Sequence, residues 1–299
     1  VAETFVIETS NLKKDFGGVE AVRGLNLQVP AGSIYGLLGR NGAGKTTTIK
    51  ILLGMAHPTS GVARVFGLAS NLQQASVEIR RRTGFVSEDK SLYDSMTVEQ
   101  MVRFTAAFFP RWRGDLASRY LRKFELPADR KVGALSRGTC AKLALLLALC
   151  RGAELLVLDE PTSGLDPAIS EEVLQALVSH VASEDMTVFL SSHRIAEIDQ
   201  IADHVAIIDH GRAVVAGTLD DIRSSYKRIQ LVFDGDAPDP TFRADGVVRV
   251  QRRGRVLTII SSDGSEPVLD EARALGPASV DVLPVTLKEI FLETVKAED

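Results

Sequence analysis

Residues 39–47 read GRNGAGKTT, and Gly39, Gly44, Lys45 and Thr46 fall at the spacing of a loop that cradles phosphate. Little side-chain bulk from Gly39 through Asn41, Gly42 and Gly44 to Thr47 lets successive backbone N–H groups close around phosphate oxygens at the positive end of a helix. Lys45 would neutralise the β and γ phosphates, and the Thr46 hydroxyl would sit on Mg2+. The pattern implies a nucleoside triphosphate as ligand.

Cleaving a triphosphate needs a metal and a group that activates water. Asp159 and Glu160 close the run LLVLDE: Asp159 can reach the Mg2+, and Glu160 can orient or deprotonate the attacking water. His193 follows a later buried strand, where it could contact the γ-phosphate and hold that water. His57, His180, His204 and His210 lack a comparable setting and read as surface or turn residues. Ser136, at the start of another helix, offers a second anion-binding helix start, which suggests closure from a second direction by another copy of the chain. Phe16 reads either as a core aromatic or as a flat face for adenine.

These groups need a frame. Residues 34–38 read as a buried strand before the glycine loop, and residues 48–53 as a helix after it. Alternating runs at 5–12 and 25–29 predict an antiparallel β segment ahead of the loop, and 62–66 a short strand after it. Helices are expected at 72–82, 97–109, 116–124 and 138–150, the second opened by the capping-box spacing of Thr97 and Gln100 and stopped by Pro110. The aromatics Phe104, Phe108, Phe109 and Trp112 read mostly as core, with one or two exposed. Wholly apolar runs at 155–158 and 187–191 suit strands of a parallel sheet covered on both faces. Asp166 and Pro167 open the helix between them. After about residue 218 the texture changes to short capped helices, a strand at 229–233, a hairpin over 247–260 and a terminal helix opened by Thr286.

A length of 299 residues allows one large and one small domain, or two medium ones. A net charge of −4 argues against a broad nucleic-acid surface, and no nucleic-acid partner is expected. The basic runs at 80–82 and 252–253 read as solvated faces. Cys140 and Cys150 have no metal-ligand spacing and fit a reducing compartment. The most apolar run, 143–149, is far short of the ~18–20 residues of a membrane span, so a cytosolic chain is expected, attached to a membrane only through a partner.

The ordered set GRNGAGKTT, LSRGT, LLVLDEP, SGLD and SH resembles the nucleotide-binding subunit of ATP-binding-cassette transporters over about residues 4–217. The segment ending in TLKEIFLETV is similar to the C-terminal extension of bacterial exporter-type ATPases that work with separate permeases. The resemblance implies an α/β P-loop NTPase cassette over 1–217, with a mainly parallel sheet, an antiparallel β subdomain and a helical subdomain at about 89–150. A small α+β appendage over 218–299 completes the expected fold.

For the site, the resemblance implies ATP and Mg2+ held in a head-to-tail sandwich of two copies, or of one copy and a homologous subunit. It gives Phe16 to adenine, Gly42, Gly44 and Lys45 to phosphates, Thr46 and Asp159 to Mg2+, Glu160 to base catalysis and His193 to the γ-phosphate. Ser136 and Gly138 would contact phosphate from the opposite subunit, and Asp166 would communicate across the dimer. Two motifs depart from the family: LSGGQ is LSRGT here, with Arg137 and Thr139 substituted, and the usual glutamine after Phe85 is Glu88, a carboxylate that can still meet Mg2+ or a water. Residues 93–109 are where the resemblance implies permease docking, at the inner face of the cell membrane. The alternative is a soluble cassette ATPase acting as a mechanical switch on a ribosome or assembly scaffold.

Overall fold

The computed structural model describes residues 4–184, 186–262 and 265–295. Its contacts divide the chain into Val1–Ala213 and Val214–Asp299, a few residues before the sequence break expected at 217/218. The ends of both expected spans, 1–3 and 296–299, lie outside the described residues.

In the first unit, strands β1 (Phe5–Phe16) and β2 (Val19–Pro30) form an antiparallel hairpin turning at Gly17 and Gly18. The chain then runs through β3 (Ile34–Gly39) and helix α1 (Lys45–Leu52) before β4 (Ser60–Val65) and β5 (Leu68–Ala69) complete a first sheet of order β2-β1-β4-β5. Next come α2 (Gln73–Arg82) and β6 (Thr83–Val86), then a helical insert of α3 (Val98–Ala106), α4 (Gly114–Lys123) and α5 (Arg137–Leu149). The unit closes with β7 (Leu155–Asp159), α6 (Pro167–Glu184), β8 (Thr187–Ser192), α7 (Ile195–Ile201), β9 (His204–Asp209) and β10 (Arg212–Thr218), the unit boundary falling inside β10.

The second sheet has the order β10-β9-β3-β8-β7-β6, and β9, β3, β8, β7 and β6 pair in parallel. Every residue of β3, β7 and β8 is buried, as a strand covered on both faces requires. Chain reversals place the ends of β3, β7 and β8 side by side at one edge of the sheet, where parallel sheets carry their ligands.

The helical insert differs from expectation. None of Phe104, Phe108, Phe109 and Trp112 is buried; Phe104 is 36% and Phe108 64% exposed. Helix α3 buries the stripe Val98, Met101 and Val102 and ends at Ala106, so Phe104 falls on its outer face and Phe108 beyond its end. Tyr93, Phe104 and Phe108 stack edge to face on the surface, with ring centroids 5.4 and 5.1 Å apart.

Two polar groups are also placed differently from expectation. His180 is buried, its Nδ1 3.4 Å from the Tyr120 hydroxyl, because the 18-residue α6 packs an inner face there. Of residues 80–82 only Arg81 is fully solvated: Arg80 donates to the Leu53 carbonyl, while Arg82 pairs with Glu154 and lies 3.9 Å over the Phe66 ring.

The second unit contains α8 (Leu219–Ser225), β11 (Tyr226–Val232), β12 (Val247–Arg253), β13 (Val256–Ser262), α9 (Ser265–Ala274), β14 (Ser279–Pro284) and α10 (Leu287–Thr294). Its antiparallel sheet has the order β12-β13-β11-β14. Ile229, Leu231, Leu257 and Ile259 pack against Val268 and Ala272 of α9. Helix α9 and strand β14 were not expected: Pro267 stands in the first turn of α9, where proline is tolerated but masks the helical pattern.

Candidate nucleotide site

The glycine loop is set by close packing. Gly44, the N-cap of α1, has φ +101°, and a Cβ there would stand 2.3 Å from the Ala21 carbonyl oxygen. Gly42 also has a left-handed φ, +84°, but faces open space, which leaves room for an anion. No side chain caps α1, so the N–H groups of its first turn remain available to a ligand. Lys45 is buried, and its ammonium donates to the carbonyls of Gly39 at 2.8 Å and Arg40 at 3.2 Å. A cavity of 300 Å³ opens here, lined by Asn41, Gly42, Gly44, Lys45, Thr46 and Thr47, with Ala21, Glu88 and Glu160 across from them.

Asp159 ends β7, and Glu160 follows it with φ +48°. Neighbouring residues of a strand point to opposite faces; the left-handed step turns the second carboxylate back toward the ligand edge. Glu160 lies 3.0 Å from Lys45 Nζ through Oε1 and 2.8 Å from His193 Nδ1 through Oε2, and the His193 N–H approaches the same oxygen at 3.4 Å. Lys45, Glu160 and His193 thus form one contact chain across the ends of three adjacent strands.

Sequence reasoning passed over Ser191. Its hydroxyl donates to Asp159 Oδ1 at 2.6 Å and accepts from the Glu160 N–H at 3.2 Å. A second overlooked group is Glu197, buried, which accepts from Thr162 at 2.7 Å and Ser192 at 3.0 Å and pairs with Arg194 at 3.1 Å. The doublet SS at the end of β8 was the available signal, a pair of hydroxyls in an otherwise apolar strand.

Other expected residues lie apart from the cavity. Ser136 caps α5 by accepting from the Thr139 N–H at 3.1 Å, and Gly138 stands where α5 meets Ile169 of α6. Asp166 caps α6, accepting from the Ile169 N–H at 3.0 Å. Phe16 is 55% exposed at the end of β1, with the Lys14 ammonium 4.7 Å from its ring.

Thr46 and Glu88 share the cavity lining, whereas Asp159 accepts from Ser191 and is not among the lining residues; their oxygens are hard donors of the kind that suits Mg2+. Among the described residues no group of three or more His, Cys, Asp or Glu could hold a metal by itself.

A glycine cradle, a buried lysine and a carboxylate–histidine pair on adjoining parallel strands define a nucleoside-triphosphate-binding α/β cassette. The family profile described as ABC transporter matches residues 22–163, and one described as AAA domain, putative AbiEii toxin, Type IV TA system, matches 128–199. Bacitracin transport ATP-binding protein BcrA of Bacillus licheniformis is 33% identical over 96% of this chain and 95% of its own. Nod factor export ATP-binding protein I of Burkholderia lata is 32% identical over 98% and 97%. A solved ATP-binding subunit of an ABC transporter is 28% identical, with a TM-score of 0.66, over 74% of this chain and 92% of its own. The chain belongs to the ATP-binding subunits of ABC transporters, a family of ATPases.

Proposed function

We propose that this chain hydrolyses ATP in a head-to-tail dimer to drive export through a separate membrane permease. The observation that carries the reading is the Lys45–Glu160–His193 chain at the mouth of the phosphate cavity. Lys45, Gly42, Gly44 and Thr47 bind the phosphates, and Thr46 and Asp159, with Glu88 nearby, hold Mg2+, which supplies charge neutralisation when bound. Glu160 takes a proton from water as the water oxygen attacks the γ-phosphorus; the bond between the γ-phosphorus and the β–γ bridging oxygen breaks, and that oxygen leaves on ADP. His193 holds Glu160 in place and meets the γ-phosphate.

The exposure of Ser136 at a helix start outside its own cavity supports a contact with the nucleotide of a second copy. Asp166 caps α6 through Ile169, the residue that Gly138 of α5 meets, and Phe16 offers an exposed ring to adenine. The export role rests on the names of the relatives, among them the daunorubicin/doxorubicin resistance protein DrrA of Streptomyces peucetius, 39% identical over 74% of this chain and 68% of its own. Among the described residues no helix is long and apolar enough to cross a membrane. The reading includes a separate permease chain that holds this one at the inner membrane face. Glu160→Gln should keep ATP binding, lower turnover by roughly 10²–10⁴-fold and accumulate as a dimer with ATP on size exclusion. Wild-type turnover in that variant overturns the assignment.

A further inference from the structure

The chain segments that leave β7 and β8 carry Glu160 and His193, and one further carboxylate ties the two segments together. Glu197, in the first turn of α7, is buried, and its Oε2 accepts from the Thr162 hydroxyl at 2.7 Å and from the Ser192 hydroxyl at 3.0 Å. Thr162 stands two residues beyond Glu160, and Ser192 directly precedes His193. The Ser192 oxygen also accepts from the Arg194 N–H at 2.9 Å, which fixes the chain on both sides of the histidine. Thr162 and Ser192 are themselves buried.

A carboxylate in the first turn of a helix is ordinary on a surface, where the helix end favours it. Burial strips its water, which is costly unless protein donors replace it. Here two hydroxyls do so on Oε2, and the Arg194 guanidinium does so on Oε1 at 3.1 Å. An apolar side chain would fill the same space without that demand, so the acid is explained by what it holds. What it holds is strained: Glu160 has φ +48°, a conformation that lasts only where its surroundings fix it. On one side the Glu160 N–H donates to the Ser191 backbone carbonyl and to the Ser191 hydroxyl, both at 3.2 Å. On the other side the fixed point is Thr162, anchored on Glu197.

We infer that Glu197 is a positioning residue for hydrolysis: through Thr162 and Ser192, its Oε2 sets the approach of Glu160 Oε2 to His193 Nδ1, 2.8 Å in this structure. Glu197 does not line the nucleotide cavity and acts through its hydroxyl partners. The inference rests on the roles proposed above for Glu160 and His193, and adds what holds the pair together.

The test compares Glu197→Ala, Glu197→Gln and Thr162→Val in the full chain. Glutamine can keep an acceptor oxygen toward both hydroxyls, whereas valine matches threonine in shape and removes one hydroxyl without emptying the site. In nucleotide-free protein the ring-nitrogen NMR signal of His193, assigned by its loss in His193→Gln, should move toward that of a free imidazole in Glu197→Ala and Thr162→Val. In Glu197→Gln it should stay in place. Turnover per bound ATP should fall roughly tenfold or more in the first two variants, with ATP affinity within about threefold of wild type. If Glu197→Ala does not fold, Thr162→Val decides. A histidine signal unmoved in folded Thr162→Val overturns the inference, as does a Glu197→Gln protein as slow as Thr162→Val. Moved signals with unchanged turnover uphold the clamp and count against the catalytic roles of Glu160 and His193.

Discussion

Lys45 Nζ stands 3.0 Å from Glu160 Oε1, with both side chains 6% exposed. On the proposed function, bound phosphate would draw the ammonium toward itself and so free the carboxylate oxygen for water. Lys45→Ala should weaken ATP binding by roughly a hundredfold, the loss of a buried charge-assisted contact. Calorimetric titration with ATP checks this; binding within threefold of wild type would contradict it.

Ser191 touches both acids and is expected to act through them. Ser191→Ala should leave ATP affinity nearly unchanged and lower kcat by roughly tenfold, with a higher Mg2+ requirement, because Asp159 loses a 2.6 Å hydrogen bond. Steady-state rates across a Mg2+ series distinguish this from a global loss of stability, which would lower activity equally at all metal concentrations.

Arg82 forks onto Glu154 at 3.0 and 2.6 Å, and this pairing holds the Glu154 carboxyl below its usual range. A depressed carboxylate stabilises the fold above its unfolded pKa, near 4.3, and loses that contribution as pH falls through its folded value. The Glu154 side chain is 43% exposed, so screening limits the effect to about 0.5–1 kcal/mol. Glu154→Gln should lower the melting temperature by roughly 1–4 °C at pH 7 and by progressively less below pH 4. An unchanged difference at pH 3 would assign the effect to packing.

Burial pushes the Cys150 thiol up to about 12, and Cys140, half-buried, is raised by the same cause. At pH 8 Cys150 should resist iodoacetamide in the folded protein and react fully in guanidinium, with Cys140 modified first but more slowly than a free thiol. Intact-mass time courses give the order directly.

The nucleotide cavity was readable because each of its parts follows an apolar strand, and strand ends of a parallel sheet converge. Asn41, Gly42, Gly44 to Thr47, Glu88 and Glu160 line that cavity, the Gly39 carbonyl instead accepts from Lys45, and His193 closes on Glu160. Ser191 escaped because a serine within the run TVFLSS looks like strand filler until its 2.6 Å contact with Asp159 is seen. The aromatics of the helical insert were misplaced because hydrophobicity alone does not say which stripe of α3 faces inward. In the second unit, Asp281 and Pro284 blur the alternation of β14, so its pairing with β11 came only from the three-dimensional register.

Glu160 occupies a backbone conformation that asparagine or glycine would adopt more readily. Replacing it with either would relax the backbone there but leave the buried Lys45 ammonium without the carboxylate that stands 3.0 Å away. The strained step is thus spent at the one carboxylate that faces both Lys45 and His193, where an unstrained backbone would aim the side chain elsewhere.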